Sequence, residues 1–382
     1  MIYLDNAATS FPKPFCVVQE IDRCFAEYCA NPGRGGHALS VRAGLAVTRA
    51  REALSGLFNI KEPMRLAFTK NATEALNIAI KGIVTPGCHV ITSAMEHNAV
   101  TRPLKTLERD IGITVTQITG NEFGEIDPED IKKALRKNTK LIVFTLSSNV
   151  NGIIMPAAQI GRIAREAGVP FLLDASQGAG SIPVDVETEN IDMLAFPGHK
   201  GLMGPQGTGV LYVREGLRLR SLMEGGTGSN SEDPYQPEFM PDLLESGTLN
   251  TPGIVGLGAA AGFIKAVGME RIRIHKHMLV NMLSEGFSAI PGMKLYSLND
   301  ASRNSGIVAM NLKNMDSTEL SYLLDKDYGI CTRAGLHCAP SAHVKLGTLS
   351  RGIIRFSAGI FNSADDISRT VDAVEQISRK MF

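Results

Sequence analysis

Five residues in this chain are of types that do chemistry, and each stands in a segment suited to it: His97, Asp174, Lys200, Cys338 and Arg355. Lys200 sits in Phe196-Pro197-Gly198-His199-Lys200-Gly201, behind an apolar run and between glycines. A lysine held there can form a Schiff base with a carbonyl, although a lone lysine is more often a solvated surface residue. Asp174 closes the apolar run Leu172-Leu173 and opens Ala175-Ser176-Gln177. An acid in that position is costly unless it meets a cation. A pyridinium nitrogen is such a cation, and an aspartate partner keeps it protonated and strengthens the ring as an electron sink. An N-cap for the next helix explains Asp174 equally well. Asp174 and Lys200 together, each behind a strand, favour the chemical reading over the two bland ones.

Two further segments fit the same picture. Thr69-Lys70-Asn71-Ala72-Thr73-Glu74-Ala75 follows an apolar run and opens a helix. Small residues and hydroxyls at a helix N-terminus make an anion site, because the N–H groups and the dipole favour phosphate; alone, the segment reads as an ordinary cap. In Met95-Glu96-His97-Asn98, the histidine can stack on a flat ring or simply begin a helix.

A second cluster lies near the C-terminus, in Thr332-Arg333-Ala334-Gly335-Leu336-His337-Cys338-Ala339-Pro340, with Arg355 beyond it in Ile353-Ile354-Arg355-Phe356-Ser357. An arginine fork fixes a substrate carboxylate. An attacking sulfur must be a thiolate, favoured by nearby positive charge or an adjacent base; Arg333 and His337 are close enough in sequence to serve. Salt-bridged arginines and an inert buried cysteine are the plainer alternatives, and for Cys338 taken alone the plainer one is favoured.

The elements that must position these residues are legible between about residues 65 and 215. Strand-like runs alternate with helical patterns there: Leu66-Ala67-Phe68-Thr69, His89-Val90-Ile91-Thr92, Ile113-Thr114-Val115, Leu141-Ile142-Val143-Phe144, Val169-Pro170-Phe171-Leu172-Leu173, Met193-Leu194-Ala195-Phe196 and Gly209-Val210-Leu211-Tyr212-Val213. Continuous apolar strands joined by helices predict an α/β fold with a mostly parallel seven-stranded sheet covered on both faces. The short glycine-rich link before the last run allows one antiparallel strand. Ligands of such sheets bind at the carboxyl ends of the strands, so the loop segments above face one site. Residues 225–250 read as a long functional loop. A helical stretch follows from Ile254 through Ile290 and is broken by Pro291-Gly292. Residues 306–382 read as a smaller α+β unit ending in a helix from Ala364. The expected division is a large domain over residues 15–256 and a small one over 257–382, joined by the N-terminal segment 1–14.

Composition bounds the rest. The chain has 382 residues, with 39 basic and 39 acidic side chains. That balance lacks the basic footprint of a nucleic-acid binder. No apolar run spans a bilayer and the N-terminus lacks a signal-peptide pattern, so a cytoplasmic protein without membrane attachment is expected. The six cysteines form no C-x-x-C pair, which argues against a metal site, a thioredoxin motif or a disulfide framework. Cys331 reads as strand packing, and His343 as a surface residue.

Taken together, these motifs resemble the class V aminotransferases and, within them, the cysteine desulfurases, over essentially the whole chain. The resemblance is carried by Tyr3-Leu4-Asp5-Asn6-Ala7-Ala8, Arg34-Gly35-Gly36-His37, Asn71-Ala72-Thr73-Glu74-Ala75, Glu96-His97-Asn98, Ser148-Asn149-Val150-Asn151-Gly152, Asp174-Ala175-Ser176-Gln177 and Gly198-His199-Lys200. The cysteine segment resembles the R-x-G-x-x-C loop of the group II desulfurases. The resemblance implies a fold-type I enzyme dependent on pyridoxal 5'-phosphate. Lys200 would bind the cofactor covalently, Asp174 pair with its ring nitrogen, His97 stack on the ring and Gln177 meet its phenolic oxygen. Ala72, Thr73 and His199 would hold the phosphate, joined by Thr248 from the neighbouring subunit of a homodimer. Arg355 would take the substrate carboxylate, with Arg333, Asn149, Ala7 and His37 bordering the substrate. The implied reaction converts L-cysteine to L-alanine and leaves the sulfur on Cys338 as a persulfide. A thiol acceptor protein then takes it, for iron–sulfur cluster assembly, tRNA thiolation or selenium delivery. Selenocysteine lyase, epimerase and transaminase activities share the same lysine site, and a non-enzymatic protein with a vestigial site stands further off. Two departures stand out: Pro197, where many relatives carry Ser or Thr, withholds a hydroxyl and an N–H from the phosphate, and Leu336 replaces a histidine seen in some relatives.

Overall fold

The structure, a computed structural model, describes residues 1–33, 35–298 and 300–380. The chain opens with a short strand, β1 (Ile2–Tyr3), and two helices, α1 (Phe15–Glu27) and α2 (Ala38–Leu57). Strands and helices then alternate: β2 (Leu66–Thr69), α3 (Ala72–Ile83), β3 (His89–Ser93), α4 (Asn98–Ile111), β4 (Thr114–Ile118), α5 (Pro128–Ala134), β5 (Thr139–Thr145), α6 (Ala157–Ala167), β6 (Phe171–Asp174), β7 (Met193–Pro197) and β8 (Gly209–Val213). These strands form one seven-stranded sheet in the order β2-β8-β7-β6-β5-β3-β4. All are parallel except β8, which runs antiparallel to both β2 and β7. The tight link from β7 to β8 leaves no room for a crossover helix, so the strand must reverse.

The parallel strands are apolar on both faces because both are covered. On β5, Leu141 and Val143 pack with Leu76 and Ile80 of α3 and Val100 and Leu104 of α4. Their neighbours Ile142 and Phe144 point the other way, into a core with Leu54 of α2 and Ile160 of α6.

Residues 225–250 contain no helix or strand. The end of this long loop is tied to the sheet by a buried ion pair, in which Arg51 Nη1 and Nη2 meet the two carboxylate oxygens of Glu245 at 2.8 and 3.0 Å. Glu245 also accepts from the Phe68 N–H at 2.6 Å. A buried pair costs most when one partner is removed, because the other charge stays desolvated. Glu245→Gln is therefore expected to lower the unfolding free energy by about 3 kcal/mol, read from denaturant midpoints; a loss below about 1 kcal/mol would place the pair with weak surface bridges.

The expected helix from Ile254 through Ile290 is two helices, α7 (Thr251–Val267) and α8 (Met269–Ser288), bent by 79°. Gly268, at φ 91°, ends the first and begins the second, a backbone state that glycine adopts without steric cost. The division expected at 256/257 falls inside α7. Beyond α8 come β9 (Met293–Leu295), β10 (Ile307–Leu312), α9 (Ser317–Tyr328), β11 (Ile330–Cys331), β12 (Arg333–Gly335), α10 (Pro340–Lys345), β13 (Ile353–Ser357) and α11 (Ala364–Arg379). The sheet β12-β13-β10-β9 is antiparallel, and β1 pairs in parallel with β11. Leu279 and Phe287 of α8, Leu320 of α9 and Ile377 of α11 pack with Ile2 and Leu4, so the N-terminus lies in the same core as the C-terminal unit. Among the described residues, no single helix is long and apolar enough to cross a membrane.

Candidate active site

The carboxyl ends of β2, β3, β5, β6 and β7 lie along one edge of the large sheet. A cavity of about 490 Å³ opens there, bounded by Ala72, Thr73, His97, Asn149, Asp174, Ser176, Gln177, Pro197, His199 and Lys200. The chain order scatters these residues over more than a hundred positions; the parallel register brings them to one place.

Asp174 ends β6 and is 2% exposed. Its Oδ1 accepts from the Ser176 N–H at 2.9 Å and the Ser176 hydroxyl at 2.5 Å, so the N-cap-like bonds and the cavity-lining position coexist in one residue. His97 caps α4: its Nδ1 accepts from the Ala99 N–H at 3.0 Å, which leaves the proton of the neutral ring on Nε2. Burial and the Lys200 charge pull its pKa down, against the pull of Asp174. A neutral ring is the form that stacks on a cationic heterocycle without repulsion.

Burial pulls the Lys200 amine down from 10.5 to about 8, with help from Arg355 and Arg333 and against Asp174 and Cys338. Gln177 donates from Nε2 to the Ala7 carbonyl at 3.0 Å. Ala7 borders an adjoining cavity that also meets Lys200 and Gln177.

At the other end of the cavity, Asn71 caps α3 by accepting from the Glu74 N–H at 2.9 Å. The N–H groups of Ala72 and Thr73 have no partner among the described residues. Gly209 lets β8 come close to this turn: a Cβ there would meet the Asn71 carbonyl carbon at 2.5 Å. His199 Nδ1 is buried without a hydrogen-bond partner, while the His199 carbonyl accepts from the Ser10 N–H at 3.0 Å and Lys13 Nζ at 2.8 Å. Burial, with the nearby Lys200 and Lys13 charges, lowers the pKa of its ring to about 4. Pro197 lines the cavity opposite Gly209 in the β7–β8 ladder.

This donor set suits pyridoxal phosphate. Two free helical N–H groups, a hydroxyl and an orphaned imidazole nitrogen face one end, as an anion requires. A buried carboxylate lies beneath the strand ends and a depressed amine beside it. Asp174, His97, Lys200, Thr73 and His199 are the residues that would hold the group.

The cysteine loop reaches this cavity. The Asn98 N–H donates to the Cys338 carbonyl at 2.7 Å, and Asn149 Nδ2 donates to the His337 carbonyl at 2.6 Å. Cys338 is exposed. His337 and Cys338 both have left-handed backbones, at φ 50° and 55°, a cost of about 1–2 kcal/mol each that the two anchoring bonds offset. The two residues expected to help the thiol, Arg333 and His337, are each engaged with another partner. Burial, with Arg355, pushes the His337 ring down to about 3, so it is neutral. It stacks on His343, with centroids 5.8 Å apart. His343, read as a surface residue, is 0% exposed. Arg333 is turned to Asp5: Nε donates to Oδ2 at 3.1 Å. Arg355 donates from Nη2 to Asp5 Oδ1 at 3.0 Å and from Nη1 to the Asn149 carbonyl at 2.8 Å. Leu336 is 39% exposed on the outside of the loop.

Other expected residues lie elsewhere. His37 is exposed and caps α2, its Nδ1 accepting from the Ser40 N–H at 3.3 Å. Thr248 is exposed and does not line the cavity. Arg34 lies outside the described residues. Two buried acids have contacts that their own segments do not announce. Nothing local signals that Asp5 meets two arginines. Glu96, beside His97, follows an apolar segment as Asp174 does. It is 0% exposed; Oε1 accepts from Ser93 Oγ at 2.5 Å and the Thr145 N–H at 3.0 Å. Burial pushes its pKa up to about 8, so at neutral pH it is mostly uncharged.

A family model for class-V aminotransferases matches residues 2–370. The chain is 37% identical to a probable cysteine desulfurase of Methanothermobacter thermautotrophicus, over 99% of this chain and 94% of that one. Its fold superposes on the apo cysteine desulfurase of Thermococcus onnurineus with a TM-score of 0.94, at 32% identity, covering 99% and 95% of the two chains. The cysteine desulfurase CsdA of Escherichia coli gives 0.89 at 27% identity, covering 100% and 95%. The chain belongs to the class-V aminotransferase family, in its cysteine desulfurase branch. The α/β fold with its smaller α+β unit is that of the fold-type I enzymes.

Proposed function

We propose that this protein is a pyridoxal-phosphate-dependent cysteine desulfurase that forms L-alanine from L-cysteine and carries the sulfur away on Cys338. The observation that carries this reading is the anchoring of the cysteine loop: the carbonyl of Cys338 is bonded to the first residue of α4, directly after His97, and that of His337 to Asn149. These bonds tie the loop of the exposed Cys338 to the element of His97 and to Asn149, both of which border the cavity.

Bound in the cavity, pyridoxal phosphate supplies an aldehyde that takes up an amine and a protonated ring that accepts electrons released at the adjoining carbon. The remaining work falls to the chain. Arg355 receives the substrate carboxylate with its fork. Lys200, with its amine pulled to about 8, takes the substrate α-proton and returns a proton later in the cycle. Asp174, held by Ser176, would pair with the ring nitrogen. The Cys338 thiolate attacks the substrate sulfur as the substrate Cβ–S bond breaks, the electron pair of that bond staying with the carbon fragment, which is protonated and leaves as alanine; a thiol of an acceptor protein then takes the outer sulfur of the Cys338 persulfide and Cys338 departs as the thiolate. The exposure of Leu336 and Cys338 suits docking of such a partner.

The reading extends to a cytoplasmic homodimer, with Thr248 reaching the neighbour's phosphate. Exposed Phe15, Val18 and Phe25 on α1, and Val41 and Leu45 on α2, supply apolar surface for a second copy. The test is to supply L-cysteine and a thiol reductant to the purified protein and measure alanine and sulfide together. Equal amounts of both are expected. A coloured protein inert on cysteine would keep the cofactor and reject the substrate, and L-selenocysteine and cysteine sulfinate would follow.

A further inference from the structure

The register of the small sheet sets two like charges side by side. β12 and β13 place Arg333 directly opposite Arg355. Residues paired in this way share a face of the sheet, and like charges there repel. Arg355 is 2% exposed, so water screens it little. One carboxylate lies between them: Asp5 meets Arg355 Nη2 at 3.0 Å with Oδ1 and Arg333 Nε at 3.1 Å with Oδ2.

The backbone fixes Asp5 in place. It forms a parallel bridge with Ser357, two positions beyond Arg355. The Ala7 N–H donates to Ser357 Oγ at 2.9 Å, and the Ala7 carbonyl receives Gln177 Nε2 at 3.0 Å. The segment carrying Asp5 is therefore tied both to the strand of Arg355 and to the cofactor cavity. With Nη1 of Arg355 on the Asn149 carbonyl, its guanidinium is held from two sides. Two arginines and one aspartate leave a single uncompensated positive charge, which matches one carboxylate.

We infer that Asp5 is a positioning residue: it bridges Arg333 and Arg355 and holds the Arg355 fork in the orientation that receives the carboxylate of the amino-acid substrate. This rests on the desulfurase reading of the cavity. Asp5 touches neither substrate nor cofactor in this role and acts through the two guanidiniums. In Asp5→Asn one arginine faces an amide N–H instead of an acceptor, and the pair repels.

The experiment compares wild-type and Asp5→Asn holoenzymes by steady-state kinetics and by the absorbance change on adding L-cysteine or cysteamine, which lacks the carboxylate. Melting temperature and bound cofactor report on folding. The expected result is a KM for L-cysteine raised roughly tenfold or more, with kcat changed much less, and an unaltered response to cysteamine. An unchanged KM overturns the inference. A lowered KM also overturns it, because Asp5 would then compete with the substrate for Arg355. An equal loss of cysteine and cysteamine responses assigns Asp5 to general structure and overturns it too. If Asp5→Asn does not fold, Asp5→Glu carries the test: it keeps the charge but moves the carboxylate by one methylene, and a raised KM supports the inference while an unchanged one rejects it. A wild-type enzyme that responds to no amino acid removes the desulfurase reading, and this role with it; that result is distinct from a responsive wild type with an indifferent variant.

Discussion

Cys338→Ser is expected to lower alanine formation from L-cysteine by roughly a thousandfold or more while the protein keeps its cofactor and its colour. The exchange removes one property, the thiolate, since a serine hydroxyl stays protonated at neutral pH. It leaves the loop in place, because the bonds that anchor it run to the backbone carbonyls of His337 and Cys338, not to the sulfur. None of the other five cysteines lies in the loop anchored to Asn98 and Asn149. Cys24 and Cys88 are buried, and the Cys331 thiol is pushed up by burial and by Asp325. Alanine and sulfide should be measured together, with cofactor absorbance as the control. Sulfide release at the wild-type rate would show that Cys338 does not take the sulfur, and would leave the cofactor site untouched as a conclusion.

The second large effect is at Lys200. Lys200→Ala is expected to lose covalent retention of the cofactor and to lower turnover by roughly a thousandfold or more. A prediction about the apoprotein tests the same residue without the cofactor. Burial disfavours the charged amine, and Arg355 and Arg333 add to that; Asp174 and Cys338 oppose it without cancelling it. The amine is therefore mostly protonated below about pH 8 and mostly neutral above it, whereas an ordinary lysine changes over near 10.5. Only the neutral form is nucleophilic. Acylation of Lys200 by a small uncharged reagent, followed by peptide mass spectrometry, should rise through pH 8, well below the ordinary lysine range. A midpoint near 10.5 would mean that the amine is solvated and that the cavity does not prepare it for chemistry.

Much of this architecture was legible in the residues. Leu66-Ala67-Phe68-Thr69 and Gly209-Val210-Leu211-Tyr212-Val213 are strands with the expected ends, because apolar runs of that length between turn residues have few other folds. The reversal at β8 was legible too, from the shortness of the link before it. The break at Gly268 was not. A single glycine inside an apolar helical pattern is usually tolerated, and only the packing of α7 against α1 and α2 and of α8 against the C-terminal unit forces the turn.

The site divides in the same way. Residue type and order by themselves singled out Lys200, Asp174 and the helix start at Ala72 and Thr73 as positions able to serve a cofactor, because each is a local property of a strand end or a helix cap; the fold gathers them around one cavity. What the local sequence left open was decided by contacts between distant segments. In sequence His337 offers Cys338 either a positive charge or a base; buried against His343, its ring is neutral. The sequence left Arg333 and Arg355 open between a carboxylate site and salt bridges, with no partner named; the β12–β13 register sets them together, and Asp5, at the far end of the chain, joins them. Charge state depends on solvent and on neighbours in space, and neither is written in the order of residues along the chain.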